Sequence, residues 1–148
     1  MTKATSTSRI LIDNETEHAE LMTLLAELQQ TLHSRHVRVE DIAKLLGVLR
    51  TDLEAHFAQE EVGGFFREAV ERQPWLFERI EKLRLDHHWM REAAAALVDA
   101  AEHPQPALAW WPDVERRFQE LAERLKRHER LEIDLLQEAW TDDMGTKD

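Results

Sequence analysis

The chain has 148 residues, 33% charged and 43% hydrophobic, which is the size and balance of one globular domain spanning 1–148 rather than a disordered segment. Its net charge of −11 argues against a nucleic-acid partner, and no run approaches the roughly 20 apolar residues that cross a bilayer. The absence of Cys removes disulfides, thiolate metal sites and Cys nucleophiles, and the N-terminal MTKATSTSRI lacks the apolar stretch of a secretory signal, so the cytoplasm is the expected compartment.

Four Gly and four Pro leave long stretches without a breaker, and apolar periodicity then predicts an all-α chain. A first helix over about 14–34 carries Leu21, Leu24, Leu25, Leu28 and Leu32, with Asp13 or Asn14 as its cap. A second covers 39–61, with Ile42, Leu46, Leu49 and Leu53 inward; Gly63-Gly64 either stops it or kinks it on toward residue 72. Pro74 opens a third over 74–102, carrying Ile80, Leu83, Met90, Ala94 and Leu97. HPQP and a Trp-rich connection, AWWP, lead to a fourth over 113–139, with Val114, Phe118, Leu121, Leu125 and Leu135. A polar tail frays from about Thr141. Four such helices with short connections fit an up-down-up-down antiparallel four-helix bundle.

The eight His are the unusual feature, because four of them continue the apolar stripes. His18 extends the first stripe backward, and His56 extends the second and is followed by Glu60. His87 lies between Leu83 and Met90, and His128 follows Leu125 and precedes Glu132. A His and a Glu four residues apart share one helix face, where both reach one metal centre. Counting from the turns at about 1.5 Å per residue brings His18, His56, Glu60, His87, His128 and Glu132 to one layer. Two buried carboxylates without partners would each cost several kcal/mol, and no Lys or Arg interrupts the stripes there. A bound cation resolves that conflict.

From His18 through HFAQEE at 56–61 and LRLDHH at 83–88 to HERLE at 128–132, the sequence resembles the hemerythrin-like, or HHE cation-binding, domain. The resemblance implies a four-helix bundle around a non-haem di-iron centre. It assigns His18 and His56 to one iron, His87 and His128 to the other, and Glu60 and Glu132 as bridges beside an oxo or hydroxo group. Oxygen-carrying hemerythrins have a fifth His one turn from the third-helix ligand, where this chain has Leu83 and Arg91. Four His with two Glu are closer to the domain of iron-sulfur-cluster repair proteins, but the Cys of those proteins has no counterpart here.

By ligand count each iron would keep an open position, which favours reaction over reversible carriage. Glu61, about 100° around the helix from Glu60, is a further candidate ligand, or else an acceptor for a ligand His N–H. The resemblance thus implies a protein that binds or reacts with dioxygen, peroxide or nitric oxide, with an oxidase- or peroxidase-like activity if it is an enzyme. The alternatives are a non-catalytic iron- or oxygen-responsive module and an iron buffer. The same donors suit Mn or Zn, and the expected state is a monomer or weak homodimer with an unknown protein partner. His88 points away from the stripe, and His33, His36 and His103 fall at helix ends as surface groups. Trp75, Trp89, Trp110, Trp111 and Trp140 are expected to cover helix ends and the third connection, with an AWW interaction patch as the alternative.

Overall fold

The computed structural model describes the backbone of residues 2–145 and the side chains of residues 13–140. The helices are α1 (Thr2–Ser34), α2 (Val39–Glu61), the short α3 (Phe65–Arg72), α4 (Phe77–Glu102) and α5 (Ala107–Gly145), with a 3₁₀ turn at Pro74–Leu76 before α4. No strand occurs among the described residues. No described helix is long and apolar enough to cross a membrane.

Two boundaries differ from the sequence expectation, and Gly63-Gly64 decides between the two ends expected of the second helix, each for a local reason. The first helix begins at Thr2 rather than near residue 14, because nothing between Thr2 and Asn14 breaks it. Asn14 is therefore not a cap; it is buried inside α1 and spends its amide on two carboxylates described below. The second helix stops at Glu61, and 65–72 forms a separate α3. Gly64 has φ 101°, a left-handed conformation that L side chains avoid, and a Cβ on Gly63 would lie 2.4 Å from the Gln59 carbonyl oxygen.

The last helix starts at Ala107 and passes through Pro112, so AWWP is helix rather than connection. Proline loses only one backbone hydrogen bond this close to the helix start. Burial of both indoles outweighs that loss, since large aromatic side chains contribute roughly 2 kcal/mol or more each. Trp110 is buried and its Nε1–H donates to the Ala101 carbonyl at 3.0 Å, while its ring meets Trp111 edge-on at 4.7 Å. Trp75 and Trp89 are exposed, and Trp140 stacks on Phe65. The backbone of α5 stays helical past Thr141 to Gly145, and 146–148 lie outside the described residues.

The long helices close a ring of contacts: α1 packs on α2 and α5, and α4 packs on the same two. Their stripes form not one core but two. The larger joins Leu21–Leu32 of α1, Ile42–Phe57 of α2, Met90–Ala101 of α4 and Trp110–Leu125 of α5. The smaller joins Phe65, Phe66 and Ala69 of α3 to Leu76, Ile80, Leu83, Leu135 and Ala139. Along α4 the break falls between Leu83 and Met90, and along α5 between Leu125 and Leu135. The intervening turns of both helices carry buried polar side chains.

The glycines give a direct check on this chain path. Gly47 lies inside α2 with nothing within 4 Å of an added Cβ, so Gly47→Ala should raise stability by about 0.5–1 kcal/mol. Gly63→Ala must push backbone aside and should lower it by more than that. Denaturant unfolding of the two variants should move the midpoint in opposite directions; equal shifts would contradict the α2–α3 break.

Candidate metal centre

Between the two apolar clusters lies a layer of His18, His56, Glu60, His87, His128, Glu129 and Glu132, all buried. The six residues singled out from the sequence meet there. One donor atom each from His18, His56, Glu60 and Glu132 lies within 4.8 Å of the others, and the same holds for Glu60, His87, His128 and Glu132. The two sets share both carboxylates.

Each helix supplies its donors through its own register. On α2 and α5 the four-residue spacing stacks His56 over Glu60 and His128 over Glu132, with Nε2 to oxygen distances of 3.3 and 3.2 Å. From α1, His18 Nε2 reaches Glu132 at 2.9 Å. From α4, His87 Nε2 lies 3.0 Å from Glu60 and 3.2 Å from His128 Nε2.

The outer ring nitrogens have partners of their own. His56 Nδ1 meets Glu17 at 2.8 Å, His87 Nδ1 meets Glu61 at 2.6 Å, and His128 Nδ1 meets Asp86 at 3.1 Å. Arg91 donates to both oxygens of Glu61, and Arg124 Nε donates to Asp86 at 2.7 Å. A carboxylate at Nδ1 draws the ring proton outward and turns the Nε2 lone pair inward. His87 and His128 bring their Nε2 atoms within 3.2 Å of each other, where one proton or a cation can be shared between them. Phe57 stacks on His87 at 4.0 Å and Phe66 at 5.4 Å, fixing the ring and excluding water.

Donors are too few for the acceptors. The described buried residues include no Lys or Arg, and the Asn14 amide reaches only Glu60 Oε2 and Glu132 Oε1, at 3.2 and 3.3 Å. His56 Nε2, Glu60 Oε1, Glu132 Oε2 and both oxygens of Glu129 have no hydrogen-bond partner in the protein. Buried orphans of two metal-ligating kinds, imidazole nitrogen and carboxylate oxygen, converging on one spot fit a divalent or trivalent metal.

Glu61 does not join the layer; its carboxylate is held at the outer nitrogen of His87 and on Arg91. His88 is exposed beside Glu92, and His33, His36 and His103 are exposed as well. Sequence reasoning missed Asn14, Glu17, Asp86 and Glu129. For Glu129 a signal existed, since Leu125, Glu129 and Glu132 continue the α5 stripe at steps of four and three.

Residues 14–140 match the family described as the hemerythrin HHE cation binding domain, and the chain belongs to that family. No curated protein and no solved structure matches it.

Electrostatics of the metal-free layer follow from the same contacts. Burial works against a charge on His18, but Glu129, Glu132 and Glu60 raise its pKa to about 12. His56 and His128 are likewise raised by neighbouring carboxylates against burial. His87 goes the other way, to about 4, because burial is only partly countered by Glu61. Burial and the charge of Glu132 push Glu60 well up. Glu132 is held well down, against its own burial, by hydrogen bonding from Glu60, His128 and His18.

Two signs follow. The ion pairs of metal-free His18 are fully present below pH 6.5, the ordinary histidine value, and are lost as pH rises toward 12. His87 destabilises the fold as pH falls from 6.5 toward 4. At pH 7 a metal must displace the His18 proton to reach its lone pair. Adding Zn²⁺ to metal-free protein in weak buffer should therefore release protons, read with a pH indicator, and affinity should fall as pH is lowered. Binding without proton release would contradict this charge assignment.

Proposed function

We propose that the chain is a dinuclear metal-binding protein, chiefly for iron, that binds or reacts with dioxygen, peroxide or nitric oxide. The observation that carries this reading is the pair of four-donor sets sharing Glu60 and Glu132. His18 and His56 would hold one ion, His87 and His128 the other, and the two glutamates would bridge them. The ring of helix contacts supports an up-down-up-down antiparallel bundle as the frame, within one domain over 1–148. The donors also suit Mn or Zn.

Iron bound here supplies one-electron redox chemistry and coordination positions for a small diatomic ligand. The chain's own residues set the conditions for it. Glu17, Glu61 and Asp86 orient three of the four imidazoles and raise their basicity. Phe57 and Phe66 stack on His87 and keep that side dry. Asn14 holds one oxygen of each shared carboxylate and so fixes their orientation.

One observation favours a second reading, a responsive module. The polar layer separates two apolar clusters, so metal occupancy bears on the packing of both. Turnover of peroxide with a reductant would favour an enzyme, and its absence together with a large metal-dependent change in unfolding would favour the module.

Metal analysis and an absorption spectrum of protein purified in air test the central claim. Two ions per chain, mostly iron, with near-ultraviolet charge-transfer bands are expected; one or none after iron reconstitution would sink the dinuclear reading. Loaded protein should outlast metal-free protein by several kcal/mol of unfolding free energy. Glu60→Gln should hold fewer than two ions. Yet its metal-free form should unfold at no lower a temperature than the unaltered metal-free protein, since burial and the charge of Glu132 both work against a charge at this position, which Gln lacks.

A further inference from the structure

We propose that Glu129 is a seventh protein ligand, a terminal carboxylate on the ion held by His18 and His56, and that it makes the two ions inequivalent. The inference rests on the dinuclear reading above and adds a residue to it.

Glu129 lies on α5 between His128 and Glu132 and is only 4% exposed. Its Oε2 is 2.5 Å from His18 Nε2, and its Oε1 is 3.7 Å from His56 Nε2. Neither oxygen sits in hydrogen-bonding geometry with any donor. His18 Nε2 has a single lone pair or a single proton, yet it lies within 4 Å of three carboxylates: Glu129 at 2.5 Å, Glu132 at 2.9 Å and Glu60 at 3.9 Å. One imidazole nitrogen cannot satisfy three carboxyl groups. A cation beside His18 and His56 can, and Glu129 is placed to reach it.

Among the described residues nothing equivalent exists on the other side. The carboxylates nearest His87 and His128, apart from the two shared glutamates, are Glu61 and Asp86, and both are committed to outer ring nitrogens and to arginines. The inner face of His87 is walled by Phe57 and Phe66 instead. The His18–His56 ion would thus have two imidazoles, two shared carboxylates and Glu129, while the His87–His128 ion would have its own two imidazoles and the shared carboxylates alone. With a shared oxo or hydroxo oxygen counted for each, an ion that takes about six donors would be filled on the first side and would keep one position for an outside ligand on the second. It also carries one more negative neighbour and should be the more tightly held. An added small ligand should therefore go to the ion beside His87 and His128.

The test uses Zn²⁺ titration of metal-free full-length protein against a chromophoric chelator, and azide binding to iron-loaded protein read from its visible charge-transfer band. The unaltered protein should bind two Zn²⁺ with unequal affinities, and one azide per two irons. Glu129→Gln should weaken one Zn²⁺ step by at least about tenfold, the lower end of what even an outer-shell partner contributes to metal affinity, and leave the other step in place. Glu129→Leu should do the same and admit a second azide. Two azides on the unaltered protein would overturn the proposal without any variant. Two unchanged Zn²⁺ steps in Glu129→Gln would overturn it while leaving the dinuclear reading intact. Fewer than two ions on the unaltered protein would remove the reading beneath it as well.

Discussion

Negative charge in the middle of a helical core is the constraint on which the rest of this structure depends. Glu60, Glu129 and Glu132 are all at least nine-tenths buried, with four imidazoles around them and no buried Lys or Arg among the described residues. Removing each ion from water costs several kcal/mol even after relaxation, and carboxylates so close together add mutual repulsion. Protons can relieve part of this, which is why the pKa of Glu60 is pushed up and neighbouring carboxylates raise His18, His56 and His128 against burial. Such a layer makes physical sense as a cation cage. An apolar layer of the same volume would have been more stable, so its presence points to binding rather than to folding.

The cage is held from outside. Glu17, Glu61 and Asp86 anchor three rings from outer helix faces, and Arg91 and Arg124 anchor two of those carboxylates in turn. The His87–His128 half is therefore braced twice over, by carboxylate–arginine pairs and by stacked Phe57 and Phe66. The short α3 exists to deliver Phe66, and the Gly63-Gly64 turn exists to deliver α3. The His18–His56 half is built otherwise. Asn14 and Glu129 line it from within the layer, and its backing carboxylate, Glu17, has no arginine behind it among the described residues.

How much of this was legible in the sequence depended on whether a residue obeyed helical period. The inward stripes located four long helices, and the six residues that meet in the layer stood on them because four-residue spacing converts directly into a shared face. Asn14 was misread as a cap because Asn is favoured at helix starts, and only the tertiary partners Glu60 and Glu132 give it a reason to sit inside one. AWWP was misread as a connection because Pro112 is a breaker by local rules; burial of Trp110 and Trp111 overrides it. Glu17 and Asp86 could not be found by period, since they lie on helix flanks and matter only through the ring they touch on another helix. Glu129 was overshadowed by its neighbour His128, although adjacent residues about 100° apart can both face a centre as wide as two ions.

That last point bears on what the layer is for. A helix presenting one residue per turn to the core supplies one donor per level, which suits a symmetric pair of ions. In α5 the inward face widens at this level to His128, Glu129 and Glu132, and the extra carboxylate falls toward His18 and His56. The paired position on α2 after His56 is Phe57, which stacks on His87. So the residue following the inward histidine is an anion toward one half of the cage and an aromatic wall toward the other. A two-fold arrangement of helices thus carries an asymmetric pair of environments, one rich in negative charge and one dry. Under the proposed dinuclear reading, chemistry on a small ligand would benefit from that division. The charge-rich side would steady an ion through changes of oxidation state, while the dry side would leave a coordination position that bulk water reaches least easily.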